Sequence, residues 1–269
     1  MTLLTDRTAL IRNRRRAAPA PVTFLHEAAL DEVQDRLEMV KRSFTSAALV
    51  TGFPDLWHPA FPKAALVADD DTLDLIPGAH DLVIHAMSLH WANDPVGQLI
   101  QCRRALRPDG LFLGVAFGGQ TLNELRASLG SAEAEVTGGL APRVAPMGEL
   151  RDMGALLQRA GYGLPVADSL TLRASYRDMS HLMHDLRAMG ETNALAARPR
   201  HTTRRAVLTR AAELYEQHHS DGGRILATFE LIVLTGWAPA ESQPKPLRPG
   251  SASARLADAL GTAENPLKY

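Results

Sequence analysis

Short apolar runs alternate with amphipathic stretches along the chain, and this pattern predicts a protein of the α/β class. The clearest instance is the stretch 80–117, where the apolar run 81–86 is typical of a strand buried on both faces. Pro95 can open a helix, and Pro-Asp-Gly at 108–110 ends it before a second buried strand at 111–117. The stretch therefore predicts one right-handed crossover between two parallel strands.

The other elements are predicted from the same helical and strand periods. Apolar positions at steps of three and four indicate helices at 26–44, from residue 121, and at 148–160, 178–189 and 202–219. Apolar runs indicate strands at 47–51, 64–68, 166–174 and 225–237, the last of them antiparallel. The helices at 178–189 and 202–219 are therefore expected to form a helical insertion ahead of the last antiparallel strand.

A polar and aromatic loop at 88–94 follows the strand at 81–86. In open parallel sheets, ligands bind at the carboxyl ends of the strands. His90 and Trp91 in this loop fit two interpretations: the two side chains cover the end of the sheet, or they contact a ligand. The residues alone leave both open.

A series of motifs gives the chain a resemblance to a known family. The motifs are DLV at 81–83, SLHW at 88–91, RRALRPDGLFLG at 103–114, FGGQTLNELR at 117–126, MGETN at 189–193, GW at 236–237 and PGSA at 249–252. In this order they are similar to class I S-adenosylmethionine-dependent methyltransferases. Within that superfamily they resemble the methyltransferase-like assembly factor of respiratory complex I and, more distantly, the malonyl-carrier-protein methyltransferase of biotin synthesis.

The resemblance implies a Rossmann-like class I methyltransferase sheet, from which one N-terminal βα unit is expected to be missing. The class normally has four parallel strands by residue 86, whereas this chain offers three candidates: 47–51, 64–68 and 81–86. A crossover needs at least about 10 to 12 residues, and the connections here are close to that minimum. Whether 64–68 corresponds to the second or the third strand of the family stays open.

The resemblance also implies an S-adenosylmethionine site, with weak or lost binding. Relatives have a glycine-rich turn after the first strand, so that the backbone can approach the cofactor. This chain has Gly52 alone, followed by bulky Phe53, Pro54 and Trp57, which are expected to crowd that place. The candidate cofactor-binding residues follow successive strands and are Thr51, Gly52, Asp69, Asp70, Met87 and Ser88. For the three aspartates at 69–71, a solvated turn is the alternative.

The substrate-binding candidates also follow strands, and they are His90, Trp91, Gly118 and Gly119. His90 and Trp91 are in addition the candidates for catalysis. Methyl transfer needs little acid or base chemistry, so the lack of a catalytic motif is weak evidence against a methyltransferase.

The resemblance implies an enzyme that methylates a protein or hydroxylates its arginine during complex I assembly. The alternative is a non-catalytic assembly protein on a methyltransferase scaffold. Binding of S-adenosylmethionine would distinguish the two.

The composition restricts the kinds of partner and the cell compartment that are expected for this chain. The chain has 269 residues and a formal net charge of −1, so a nucleic-acid partner is not expected. A single cysteine, Cys102, fits a reducing compartment. No apolar run approaches the ~20 residues that span a bilayer, so a cytoplasmic protein is predicted, with peripheral membrane association left open. The ten histidines lack ligand spacing, and no metal site is expected.

The expected organisation has three parts. These are a basic arm at 1–21, a methyltransferase-like domain at 22–238 with its helical insertion at 175–223, and a Pro-rich tail at 239–269. The arm carries Arg7, Arg12, Arg14, Arg15 and Arg16. It is expected to be either a solvated tail or an arm that covers the cofactor side or contacts a partner.

Overall fold

The structure is a computed structural model, and it describes residues 3–243. Its helices are α1 (Arg7–Ala17), α2 (Phe24–Val40), α3 (Pro54–Trp57), α4 (Pro95–Ala105), α5 (Asn123–Thr137), α6 (Leu150–Arg159), α7 (Met179–Ala188) and α8 (Arg205–His218). Its strands are β1 (Ala47–Thr51), β2 (Ala65–Val67), β3 (His80–Ala86), β4 (Leu106–Phe117), β5 (Gly163–Tyr176), β6 (Ser220–Asp221) and β7 (Arg224–Trp237). The PGSA motif and most of the predicted tail lie outside the described residues.

The strands form one sheet in the order β2-β1-β3-β4-β7-β5, and the short β6 pairs with β7 off this path. β1 is parallel to β2 and β3, and β3 is parallel to β4. β7 is antiparallel to both of its neighbours, β4 and β5. The predicted Rossmann-like class I methyltransferase sheet with an antiparallel last strand is therefore confirmed, and α7 and α8 form the helical insertion ahead of that strand.

The first half of the sheet lacks one βα unit of the family plan, as predicted. β2 pairs directly with β1, so it takes the position of the second strand. Residues 68–79 then connect β2 to β3 without a helix in between. The described chain thus reaches β3 after two parallel strands, where the full family plan has three.

Helices cover both faces of the sheet. Along β1, Leu49 belongs to the core cluster that contains residues of α2, α5, α7 and α8. Its neighbours Ala48 and Val50 point to the opposite face and pack in the cluster that contains residues of α4 and α6. This alternation is expected of a strand buried on both sides. Full burial of one large apolar side chain contributes roughly 1.5 to 3 kcal/mol.

The helix between β3 and β4 begins as predicted but ends differently. Asp94 caps α4 by accepting a hydrogen bond from the Gly97 backbone N–H at 2.8 Å. The turn at 108–110 was expected to end the helix, but it lies inside β4, where the pairing register shifts. The reason is that Leu106 already pairs with His80, which starts the strand before the turn.

The basic arm contains a helix that packs on the rest of the chain. Asp6 accepts a hydrogen bond from the Ala9 N–H at 3.1 Å and so caps α1, whose Leu10 is fully buried. Just ahead of the helix, Thr5 forms a bridge with Leu195. Within residues 3–243, no helix has both the length and the apolar character needed to cross a bilayer.

Candidate functional site

The residues predicted to form a site follow strands that end at one edge of the sheet. Because β1, β2, β3 and β4 are parallel, their carboxyl ends share this edge. His90 and Trp91 therefore lie at the same edge as Gly52, as the sequence predicts. The structure has two cavities there, one between β2 and α1 and one beneath the helical insertion.

The first cavity, which we call the strand-edge cavity, has a volume of about 580 Å³. Four of the six predicted cofactor-binding residues line it: Thr51, Gly52, Asp69 and Asp70. The facing wall comes from α1 and includes Arg7, Arg14 and Arg15. The volume is within the range of roughly 300 to 1,000 Å³ that is usual for small-ligand sites. This is the place where the fold would hold a cofactor.

An ion-pair cluster crosses the strand-edge cavity. Arg14 Nη1 lies 2.9 Å from each carboxylate oxygen of Asp69. Arg7 Nη2 lies 3.2 Å from Asp69 Oδ1 and 3.1 Å from Asp70 Oδ1. Burial alone would raise the pKa of Asp69, but the charges and hydrogen bonds of Arg14 and Arg7 lower it below the usual 3.8. Asp69 is thus ionised and fully engaged by the arm.

The guanidinium of Arg14 also occupies the space above Gly52. A Cβ added to Gly52 would collide with Nη1 and Cζ of Arg14, so the guanidinium rests directly on the bare backbone. Its Cζ lies 5.0 Å from the centre of the Phe53 ring. In the class I fold this backbone approaches the methionine end of S-adenosylmethionine. The residues as arranged do not fit that cofactor, because Arg14 takes both the space at Gly52 and the carboxylate of Asp69.

One of the three residues expected to crowd the cofactor lies elsewhere. Phe53 and Pro54 line the strand-edge cavity, but Trp57 is buried in the core. Its indole N–H donates to His26 Nδ1 at 3.0 Å, and Trp57 is not among the residues that line the cavity. Burial lowers the pKa of His26 to about 4, so this histidine is neutral near pH 7 and can accept the hydrogen bond. The expectation was wrong for Trp57, and Arg14 is the group that fills the place.

The two predicted cofactor-binding residues after β3 are not among those that line either cavity. Met87 and Ser88 are both buried. Ser88 Oγ lies 3.5 Å from His85 Nδ1, and His85 Nε2 lies 2.9 Å from Gln98 Oε1. Gln98 Nε2 in turn donates to the Asp70 carbonyl at 2.9 Å. This network joins β3 to the loop at 68–79 and accounts for the burial of Ser88, whereas Met87 packs in the core cluster that contains residues of α2, α5, α7 and α8.

The second cavity, which we call the insertion cavity, has a volume of about 260 Å³. It lies between α5 and the insertion helices α7 and α8. Its walls are mainly apolar and include Phe117, Leu122, Leu125, Leu129, Met147, Met183, Leu186, Leu208 and Phe229. Its polar residues include Trp91, which the sequence predicts as a site residue, and Glu191, which it does not. Two arginines also line it, Arg143, which pairs with Glu133 at 2.6 Å, and Arg187.

Glu191 is a buried carboxylate in the wall of the insertion cavity. Its side chain is 7% exposed, and its Oε2 accepts a hydrogen bond from Trp91 Nε1 at 2.7 Å. His90 Nε2 lies 3.4 Å from the same oxygen. Burial alone would raise the pKa of Glu191, but His90, the charge of Arg14 and the Trp91 hydrogen bond lower it below 4.5. The group is thus a carboxylate anion at neutral pH, and both contacts use Oε2.

The predicted glycines after β4 are packed against carboxylates. A Cβ on Gly118 would meet the side chain of Glu230, and a Cβ on Gly119 would meet that of Glu149. Gly118 also donates its N–H to the Glu230 carbonyl at 2.8 Å. Neither glycine lines the two cavities, and neither does His90, so Trp91 is the one substrate-binding candidate among the residues that line them.

Sequence reasoning missed two residues at the centre of the site, Arg14 and Glu191. The basic character of the arm gave a weak signal for Arg14, since covering the cofactor side was one of its expected roles. Glu191 belongs to the MGETN motif, which carried the family resemblance but no assigned chemistry. Within residues 3–243, no group of three or more His, Cys, Asp or Glu side chains is arranged to hold a metal ion.

Comparison with known proteins gives three kinds of match. Residues 21–114 match a family described as a methyltransferase domain. The chain is 36% identical to arginine-hydroxylase NDUFAF5, mitochondrial, of Danio rerio, over 82% of this chain and 69% of that protein. It is 38% identical to the Homo sapiens protein of the same name, over 76% of this chain and 59% of that protein. It is 33% identical to malonyl-[acyl-carrier protein] O-methyltransferase of Laribacter hongkongensis, over 70% of this chain and 61% of that protein.

The matched region spans between 44% and 69% of the length of five NDUFAF5 proteins. Among solved structures, the YcgJ protein of Bacillus subtilis has a TM-score of 0.49 and 13% identity, covering 80% of this chain and 100% of that one. Phosphoethanolamine N-methyltransferase 2 of Haemonchus contortus has a TM-score of 0.41 and 10% identity, covering 77% of this chain and 53% of that one.

Proposed function

We propose, from the premise that this chain belongs to the family of the arginine-hydroxylase NDUFAF5 proteins, that it binds and modifies an arginine side chain of a partner protein. The insertion cavity is the proposed binding site, and Glu191 is the residue that receives the guanidinium group. His90 and Trp91, the candidates for catalysis, are proposed to position Glu191. The modification is methyl transfer from S-adenosylmethionine or hydroxylation, in which one atom of O2 would enter the substrate and a two-electron reductant would convert the other atom to water.

The observation that carries this proposal is a charged carboxylate in the wall of an apolar cavity. Glu191 uses Oε2 for its contacts with Trp91 and His90, and within residues 3–243 no group donates to Oε1, which is therefore available to accept a further hydrogen bond. An arginine side chain has an apolar stem and a cationic planar end, which matches such a cavity. Leu122, Leu186 and Phe229 would contact the methylenes while the guanidinium donates to Glu191.

His90 and Trp91 hold Glu191 through one of its two oxygens. The indole of Trp91 is a neutral donor. The Phe117 backbone N–H points at His90 Nδ1 from 3.4 Å, which favours the tautomer with its proton on Nε2, facing Glu191. Because its pKa is lowered, Glu191 is ionised at neutral pH, and Oε1 is the oxygen that a ligand cation would pair with.

The wider role follows from the family resemblance and is part of the same proposal. The partner is proposed to be a subunit of respiratory complex I during assembly. S-adenosylmethionine would supply a methyl group, but the Arg14 arrangement supports weak or absent binding of it by the isolated chain. The cytoplasmic location and the peripheral membrane association predicted from the sequence remain proposals, and the NDUFAF5 relatives have the word mitochondrial in their names.

A second candidate function is a non-catalytic assembly protein on the methyltransferase scaffold. The observation that favours it is the occupied cofactor site, where Arg14 pairs with Asp69 above Gly52. Both candidates predict guanidinium binding in the insertion cavity. They differ in whether the bound arginine is changed in mass after incubation with S-adenosylmethionine or with an oxidant and a reductant, which mass spectrometry of a partner-derived peptide can determine.

The binding step is tested with two small probes of the same shape, N-butylguanidinium and N-butylurea. Isothermal titration of the full chain should show binding of the guanidinium and at least tenfold weaker binding of the neutral urea. Glu191→Gln should reduce guanidinium affinity by at least tenfold, because it removes the charge while keeping the size of the side chain. Glu216→Gln, an exposed change on α8, is the matched control and should leave the affinity unchanged.

Two results of this titration would contradict the proposal. Equal affinity for the two probes would mean that the cavity recognises shape and not charge. Unchanged affinity of the Glu191→Gln variant would place the guanidinium on a different group.

A further inference from the structure

We propose that residues 4–17 form a strap that closes the strand-edge cavity, with Arg14 in the place of the methionine end of an S-adenosyl ligand. Release of the strap opens the site to such a ligand. The inference rests on the proposed function, since it concerns the cofactor site of the same protein. The misfit between the strand-edge cavity and S-adenosylmethionine would then be caused by the Arg14 side chain, which a substitution can remove.

Arg14 is held between two glycines that face it from opposite elements. Gly52 follows β1, and its bare backbone contacts the guanidinium. Gly190 follows α7, has a φ of +79°, and would place a Cβ 3.2 Å from Arg14 Cγ and 3.3 Å from Arg14 Cα. The Phe53 ring lies against both the guanidinium and Gly190. The side chain thus fills a shaped slot at the end of the sheet.

The closed arrangement leaves part of Arg14 unsatisfied. Nη1 bonds both oxygens of Asp69, but Nε and Nη2 are buried and have no hydrogen-bond partner among the described residues. Buried donors without acceptors disfavour the state that contains them, because the same groups are hydrated when exposed. Withdrawal of Arg14 would let these donors reach water, and it would free Gly52 and Asp69 for a ligand.

The strap is fastened at a distance from the cavity by contacts with residues 192–200. Asp6 Oδ2 lies 2.9 Å from Arg198 Nη2 and 3.2 Å from Arg200 Nη1. The Asp6 N–H donates to the Ala194 carbonyl at 2.8 Å, and Asn13 Nδ2 donates to the Thr192 carbonyl at 2.8 Å. Asp6 also caps α1. A change at Asp6 can therefore loosen the strap without altering any residue that lines the strand-edge cavity.

The test is calorimetric titration of the full chain with S-adenosylhomocysteine. Arg14→Ala should lower the dissociation constant at least tenfold relative to the wild type, because it empties the slot above Gly52 and frees Asp69. Asp6→Ala should change the affinity in the same direction by releasing the fastening. Arg16→Ala, an exposed change on the same helix, should leave the affinity at the wild-type value. Hydrogen exchange of the α1 amides should be faster in the first two variants.

An unchanged affinity of Arg14→Ala for S-adenosylhomocysteine would overturn the proposal. Weaker binding would overturn it as well, since Arg14 would then be a ligand of the cofactor and not its substitute. If Arg14→Ala does not fold, Asp6→Ala decides. Faster exchange in α1 with unchanged affinity would contradict the proposal, and unchanged exchange would contradict the fastening of the strap by Asp6. Failure here is separable from failure of the proposed function, because the butylguanidinium titration uses the other cavity and requires no S-adenosyl ligand.

Discussion

Two buried carboxylates, Asp69 and Glu191, set the chemistry of the two cavities. Asp69 faces two guanidinium groups and has its charge compensated within the chain. Glu191 accepts a hydrogen bond from an indole N–H and contacts an imidazole nitrogen, and both contacts use Oε2. The carboxylate of the strand-edge cavity is therefore paired within the chain. Glu191 lies in a cavity whose wall also contains Arg143, itself paired with Glu133, and Arg187.

The sequence predicts the residues that follow strands but not the partners that reach them from far along the chain. His90 and Trp91 could be placed because they come directly after a buried strand. Their partner Glu191 is 101 and 100 positions away, and Arg14 is 55 positions from Asp69. Hydrophobic periodicity describes local structure, so it cannot pair residues at such separations. Only the MGETN motif marked the neighbourhood of Glu191.

The Asp69 ion pair predicts a dependence of stability on pH. Because the folded-state pKa of Asp69 is below its usual value, the pair stabilises the fold above about pH 4, and that contribution is lost as pH falls through the lowered pKa. Asp69→Asn should lower the free energy of unfolding by about 3 kcal/mol at pH 7, since it leaves Arg14 buried without its counter-ion. Urea unfolding should show this difference shrinking below pH 4. A difference that is constant down to pH 2 would argue against the ion pair.

At the scale of elements, the loop that replaces the missing βα unit is fixed by side chains of α4. Gln98 contacts both His85 and the Asp70 carbonyl. Gln101 accepts from the Leu73 N–H at 2.8 Å and donates to the Asp71 carbonyl at 3.2 Å. The sequence predicts the missing unit from the short interval between strands. It does not predict this fastening, because a three-residue β2 and a loop have no periodic pattern.

Gln98 should therefore contribute more to the free energy of unfolding than an exposed glutamine does. Gln98→Leu removes the partner of a fully buried histidine and one contact of the loop, and it should lower the free energy of unfolding by about 2 kcal/mol. Gln217→Leu, an exposed change on α8, should alter it by less than about 0.5 kcal/mol. Chemical denaturation measures both values. Equal effects of the two substitutions would mean that the Gln98 network does not hold the loop.

At the scale of the molecule, the N-terminal helix and the helical insertion close the same edge of the sheet from two sides. α1 forms a wall of the strand-edge cavity, and α7 and α8 enclose the insertion cavity with α5. Residues 192–200 connect the two, since they fasten α1 and directly follow Glu191. The fold class was predictable from the apolar runs and the ordered motifs. The packing of the arm was not predictable, because a short basic helix has the same sequence pattern whether it is solvated or packed on the protein.

The central claim is that the insertion cavity holds an arginine guanidinium on Glu191. A crystal structure of the full chain with an arginine-containing peptide from the partner subunit tests it most directly. The account predicts the guanidinium within about 2.7 to 2.9 Å of Glu191 Oε1, with the stem against Leu122 and Leu186, while Trp91 stays bonded to Oε2. An empty insertion cavity, with the arginine of the peptide bound elsewhere on the protein, would contradict it.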